Sequence, residues 1–261
     1  MAEFTSHTPG TFCWPELATT DQNGASAFYR DLFGWEVDEQ PIGPTETYTM
    51  FKMRGLEVAA ASTLRGAEVQ VGVPPHWNAY VSVADADDTV KRAQELGGKV
   101  LAPPFDVMDA GRMAVLQDPT GAVISVWQPK AHIGAKILRE PGALGWTELT
   151  TRDTASAEKF YTQVFGWEAK KGDAGGQEYT EFKVGAQPDA GMIVMDPAWG
   201  NAPPHWMPYF QVADCDAAAA KAQALGGRVF VPPTDIPNVG RFAMLADAQS
   251  AMFSVIKVDN R

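Results

Sequence analysis

The chain spells one phrase twice, "FYRDLFGWE" beginning at Phe28 and "FYTQVFGWE" beginning at Phe160. A repeat this close restricts the fold to one built by doubling, because each copy must form the same local structure and bury the same face. The doubling runs well beyond the phrase. "WPELATTD" (Trp14 to Asp21) answers "WTELTTRD" (Trp146 to Asp153), and "PPHWNAYVSVAD" from Pro74 answers "PPHWMPYFQVAD" from Pro203. Further on, "LGGKV" from Leu96 answers "LGGRV" from Leu225, and "PPFDVMDAGR" from Pro103 answers "PPTDIPNVGR" from Pro232. The offset shrinks slightly along the chain, as small deletions in loops require. Two modules follow, residues 1–129 and 143–261, with a linker at 130–142 that is too short and apolar to be a floppy tether. The copies are expected to pack together.

Within one copy, Asp21 is placed to cap a helix in which Ala25, Phe28, Tyr29 and Leu32 recur at three- and four-residue spacing, with Gly34 as the stop. Asp153, Ala157, Phe160, Tyr161, Val164 and Gly166 repeat that pattern. The repeated phrase is thus a helix and its exit, and its aromatics are expected to pack on a sheet. A second helix follows Asp85 and carries Val90, Ala93 and Leu96 before Gly97 and Gly98; its partner follows Asp214. Short segments of β character lie between, among them "YTMFKM", "EVAAAST", "AYVSV", "RMAVLQD" and "AVISVW". Each copy reads strand, helix, several strands, twice over.

Composition narrows the partners. The chain has 261 residues, a formal net charge of −11 and a sequence pI of about 4.8, so phosphate backbones and anionic membrane surfaces would be repelled. Neither a nucleic acid nor a membrane is expected as partner. The first residues show no basic start followed by an apolar run, and no segment approaches bilayer length, so a cytoplasmic location is expected. Cys13 and Cys215 fall at non-equivalent places in the repeat, which suggests buried thiols rather than a disulfide or a zinc site. There is no Gly-x-Ser-x-Gly elbow, no phosphate-cradling glycine loop and no dinucleotide fingerprint.

The strand ending at Asp21, "FYRDLFGWE", "YVSVADAD" leading by helix to "LGGKV", and "GRMAVLQDPTGAVISVW", each with its counterpart, together resemble the vicinal oxygen chelate superfamily of glyoxalase I, bleomycin-resistance proteins and extradiol dioxygenases. The chain also looks like a two-module subgroup labelled glyoxalase or hydroxylase, some members of which accompany aromatic polyketide antibiotic pathways. The resemblance implies an α+β fold of two tandem modules. Each module would be a pair of βαβββ units forming a curved mixed sheet, with helices on the convex face and a metal or organic ligand on the concave one. The family's metal ligands are His, Gln or Glu. Carried over to this chain, their positions fall on Trp14 and Trp146, on Asn78 and Met207, on Ser125 and Ser254, and within Val58 to Thr63 and Gly191 to Met195. These side chains do not make a divalent-metal donor set. No metal and no other cofactor is expected.

Alternation along strands then lists what the clefts could present. If Asn78 looks inward, so do His76, Tyr80 and Ser82, while Trp77, Val81 and Val83 pack on helices; the second copy gives His205, Met207, Tyr209 and Gln211. Trp14 and Glu16, with Trp146 and Glu148, share the inward face of the first strand of each copy. Trp14, Asn78, Tyr80, Ser125, Trp146, Met207, Tyr209 and Ser254 are the candidate ligand contacts. Glu16, Glu148, His76 and His205 are the candidate acid–base groups. Competing readings stand beside these: core packing for the tryptophans, turn capping for the histidines, rim ion pairs for the glutamates, and internal carboxylate pairing for Arg112 and Arg241. Aromatic walls with few polar groups suit a flat, hydrophobic metabolite. The expected function is a metal-free protein that binds such a molecule as a sequestering or accessory protein, with antibiotic metabolism as the setting the resemblance implies. The alternative is a glyoxalase-, hydroxylase- or oxygenase-type enzyme working by side-chain acid–base chemistry or a displaced metal site. The chain is expected as a monomer with paired modules or as a homodimer.

Overall fold

The computed structural model describes residues 3–259 apart from 45, 67, 68, 70 and 71. The first module runs β1 (Phe12–Thr19), α1 (Gln22–Phe33), β2 (Glu36–Pro41), β3 (Thr47–Met53), β4 (Leu56–Thr63), β5 (His76–Ser82), α2 (Ala86–Glu95), β6 (Lys99–Val107), β7 (Gly111–Gln117) and β8 (Val123–Pro129). The second repeats it as β9 (Leu144–Thr151), α3 (Thr154–Phe165), β10 (Glu168–Ala174), β11 (Gln177–Val184), β12 (Gln187–Val194), β13 (His205–Gln211), α4 (Cys215–Ala224), β14 (Arg228–Ile236), β15 (Gly240–Ala246) and β16 (Met252–Val258). The strands form two curled eight-stranded mixed sheets, ordered β2-β3-β4-β1-β5-β8-β7-β6 and β10-β11-β12-β9-β13-β16-β15-β14. This is the expected α+β architecture.

The local signals act as read. Asp21 Oδ1 accepts from the Gly24 amide at 2.9 Å, and Gly34 closes α1 in the left-handed region at φ 77°. Asp153 and Gly166 do the same for α3, with the aspartate accepting from Ser156 and the glycine at φ 73°. Both cysteines are free and buried.

The sheets stand back to back with the helices between them. Phe12 meets Trp206 at 5.1 Å, and Trp77 meets Phe210 at 5.1 Å, so the convex faces of the two modules touch at their central strands. Packing is crossed: α1 and Phe51 of the first module share a core with Cys215, Ala219 and Phe253 of the second, whereas Val90 and Leu116 share one with Phe160 and Phe182. The helix tyrosine of each repeated phrase clasps the other module. Tyr29 accepts from Trp77 Nε1 at 3.0 Å and donates to Asp247 Oδ2 at 3.0 Å. Tyr161 accepts from Trp206 Nε1 at 2.8 Å and lies against Asp118. Asp118 and Asp247 meanwhile hold their own turns through Oδ1, taking the amides of Ala122 and Ala251. This leaves both concave faces pointing outward, away from the module interface.

The linker does more than connect. Ala135 N donates to Cys13 O at 2.7 Å and Lys136 N to Glu57 O at 2.8 Å, so it fills the gap where β1 and β4 diverge. Gly134, at φ 102°, lies so close to Cys13 that a Cβ there would strike the Cys13 carbonyl.

Candidate functional site

Register places the predicted residues in rows across the middle of each sheet. Trp14 pairs with Tyr80 across β1 and β5, and Tyr80 with Ser125 across β5 and β8; Glu16 pairs with Asn78 on one side and Ala60 on the other. In the second module Trp146, Tyr209 and Ser254 form one row, and Glu148, Met207 and Gly191 the other. The concave rows are the ones the alternation argument named, and Trp77 lies opposite, against α1.

The glutamates form the polar centres. Glu16 Oε2 accepts from Tyr48 at 3.2 Å and Tyr80 at 3.0 Å, and Oε1 accepts from Ser62 at 2.9 Å. Glu148 Oε1 accepts from Tyr209 at 2.8 Å, and the Tyr179 hydroxyl bonds to the same carboxylate. The tryptophans join in: Trp14 Nε1 donates to Tyr48 Oη at 3.4 Å and Trp146 Nε1 to Tyr179 Oη at 2.8 Å. Burial pushes all four phenols well above their ordinary range, and the neighbouring carboxylate pushes them further, so they are neutral donors at any working pH. Burial likewise raises the Glu148 carboxyl, against the lowering effect of its two phenol bonds. The Ser62 position is Ile193 in the second module, so among the described residues Glu148 lacks the third side-chain donor seen at Glu16.

Tyr48 and Tyr179 are site residues that the sequence reading missed. The signal was present, since "YTMFKM" and "YTEFKV" place a tyrosine at the same point of both copies. Their strands sit two places from β1 and β9, and only the register showed that the phenols reach the glutamates. Gly191 makes the second of these contacts possible, because a Cβ there would overlap the Tyr179 hydroxyl.

The histidines lie elsewhere. His76 pairs with Ala18, beyond the Glu16 row, and its Nδ1 donates to Pro74 O at 2.9 Å; His205 Nδ1 donates to Pro203 O at 2.9 Å and its ring stacks on Trp199. Both cap turns, and the groups hydrogen-bonded to the glutamates are tyrosines and a serine. Arg112 is paired with Asp87 and Asp106, and Arg241 with Asp216 and Asp235, at the surface. Ser125 and Ser254 are fully buried, each with its hydroxyl against the phenol of its row, Tyr80 and Tyr209. A cavity of about 180 Å³ lies outside both clefts, at the module boundary, lined by Phe4, His7, Arg139, Gln187 and Asp189.

A family profile described as the glyoxalase/bleomycin resistance protein/dioxygenase superfamily matches residues 11–126 and again 143–254. The chain belongs to that superfamily. Over 259 residues it is 43% identical to CFP32 of Mycobacterium bovis, a glyoxylase by name, covering 98% of each chain. It is 35% identical over 266 residues to the anthracycline biosynthesis protein DnrV of Streptomyces peucetius, covering 97% of this chain and 95% of the other. Among solved structures, the Mn(II)-bound glyoxalase of Novosphingobium aromaticivorans superposes with a TM-score of 0.65 at 15% identity, over 95% of this chain and 82% of the other. The 2,3-dioxygenase LapB of Pseudomonas sp. KL28 gives 0.64 at 15% identity, over 100% and 94%. At such identities the structural likeness establishes the fold alone. Among the described residues no helix is long and apolar enough to cross a membrane.

The superfamily fold implies a divalent metal on the concave face, and the donor set here does not fit one. Each sheet centre offers one carboxylate, already hydrogen-bonded to phenols, with indole, hydroxyl, amide or thioether groups at the surrounding positions. Among the described residues no three His, Cys, Asp or Glu side chains converge. Neutral phenols and a lone carboxylate give a divalent ion too few anionic or imidazole ligands.

Proposed function

We propose that this chain binds a flat, hydrophobic or aromatic small molecule on its concave face without a divalent metal, as a sequestering or accessory protein. The observation that supports this most is the Tyr–Glu–Tyr centre framed by tryptophan. It combines an apolar stacking surface with a small set of fixed hydrogen-bonding groups, which orients a ring system by its polar edge. The relative named for anthracycline biosynthesis supports the same class of ligand and a place in antibiotic metabolism. In this reading the partner is the small molecule, and the net charge of −11 weighs against nucleic acid and anionic membranes.

One observation favours a second reading, an enzyme of glyoxalase or hydroxylase type using side-chain acid–base chemistry. The raised Glu148 carboxyl, in hydrogen-bond contact with two phenols, is suited to exchange a proton with an enolisable or phenolic ligand. Elemental analysis with native mass spectrometry, on protein purified without chelators or a metal-affinity tag, tests the metal-free claim. The expected result is no stoichiometric divalent metal; a stoichiometric ion lost together with activity on chelation overturns it. Turnover of the methylglyoxal–glutathione adduct, with and without added Mn(II), separates the enzyme reading from the binding one.

A further inference from the structure

The two clefts are built alike and covered differently. Over the first lies the linker. The His132 ring meets Trp14 edge-on at 4.8 Å and Trp127 at 5.9 Å, its carbonyl accepts from Trp127 Nε1 at 2.8 Å, and its amide donates to Ala110 O at 3.0 Å. Burial lowers the basicity of this imidazole, which suits an apolar plug. Trp14 is left only 4% exposed, and with Tyr80 and Trp127 it belongs to one continuous core with Ala135, Ile137 and Leu138 of the linker.

The second cleft has no such cover among the described residues. Trp146 is half-buried, packs at the edge of the cluster of Met207, Tyr209 and Ile256, and its indole is held in place by the 2.8 Å bond to Tyr179. Ile256 stands where the first module has Trp127. The apolar wall is a small separate cluster in which buried Met207, Tyr209 and Ile256 adjoin partly exposed Phe242, Met244 and Met252. Methionine walls adapt to a range of shapes, and an indole fixed by a hydrogen bond offers a ready stacking face. At the floor, Glu148 has a side-chain donor fewer than Glu16, while the buried Ser254 hydroxyl lies against Tyr209 as Ser125 lies against Tyr80 in the first cleft. Glu148, which is only partly buried, has acceptor capacity left for the polar edge of a ligand.

Building on the binding function proposed above, we propose that the second cleft is the ligand site, taking a flat aromatic that stacks on Trp146 and hydrogen-bonds through an edge hydroxyl or keto group to Glu148, while the linker's His132 plugs the first.

The test uses 2-naphthol as probe, with hydroxyl-radical labelling of the full chain read by mass spectrometry at each tryptophan. Without probe, Trp146 should label several-fold faster than Trp14; with probe, Trp146 should be protected and Trp14 unchanged. Calorimetry should give one site per chain, weakened at least about tenfold by Trp146→Ala through loss of the stacking surface. His132→Gly should make Trp14 reactive and add a second site. Equal labelling of the two tryptophans in the unmodified chain, protection of Trp14, or two sites per chain before any substitution overturns the assignment. Unchanged Trp14 labelling in His132→Gly overturns the plug. The absence of saturable binding with unequal tryptophan labelling overturns the binding function proposed above and leaves the difference in cover standing. Because the labelling is done on the unmodified chain, misfolding of a variant does not remove the test.

Discussion

Glu16 and Glu148 take the central place on sheets of a fold that elsewhere carries metal ligands, and each is satisfied by phenols. That makes the phenols stabilising as well as functional. Replacing Tyr209 by Phe leaves Glu148 with one phenol fewer, and a lost hydrogen bond to a charged group costs about 1.5–3 kcal/mol. Urea unfolding of Tyr209→Phe should show that loss, and a variant as stable as the parent would mean that the bond contributes nothing. The pH dependence has a definite sign. Burial holds the Glu148 carboxyl above its unfolded value of about 4.3, so across that interval the native chain keeps a proton that the unfolded chain has released. Stability from this group is therefore highest below the unfolded value and falls as pH rises through the folded one. Glu148→Gln should gain stability relative to the parent as pH rises above about 4.3, levelling off once the native carboxyl ionises. Denaturation curves at a series of pH values check this, and a flat difference would refute it.

Helices and strands were legible from the sequence because their signals are local. Asp21 and Asp153 cap the helices they were read to cap, Asp85 and Asp214 cap the helices read to follow them, and the face assigned to Trp77 follows from alternation alone. The contacts of Tyr48 and Tyr179 were not legible, since they depend on strand order and register, which no single stretch specifies. The linker's resting place was not legible for a related reason. Read as short and apolar, it is also hydrogen-bonded by its backbone to Cys13 and Glu57, in the gap between β1 and β4. Its fit depends on Gly134, whose φ of 102° and contact with the Cys13 carbonyl exclude a side chain. Gly134→Ala should lower stability by about 1–3 kcal/mol. It should also expose Trp14 to labelling, whereas an unchanged melting temperature would show the linker to be loosely held.

The crossed packing of the two modules gives the molecule its unity. Each of the two main cores draws on both halves of the repeat, and Tyr29 and Tyr161 reach across to Asp247 and Asp118. Unfolding should therefore be a single cooperative step, and a chain cut to residues 1–142 should fail to melt cooperatively because half of each core is missing. Tyr29→Phe leaves the buried Asp247 oxygen without its phenol and should cost about 1–3 kcal/mol, read by calorimetry. Two separated transitions in the parent chain would contradict the shared cores.

The linker laid over one cleft also bears on how a duplicated protein can change. A sheet whose concave face is closed by its own chain is tied to that cover: each substitution there must suit His132, Trp14 and Trp127 together. Its twin carries no such obligation. Phe242, Met244, Met252 and Ile256 can be exchanged without disturbing any linker contact, so one half of the chain serves as an anvil on which the other is free to be reshaped toward new ligands.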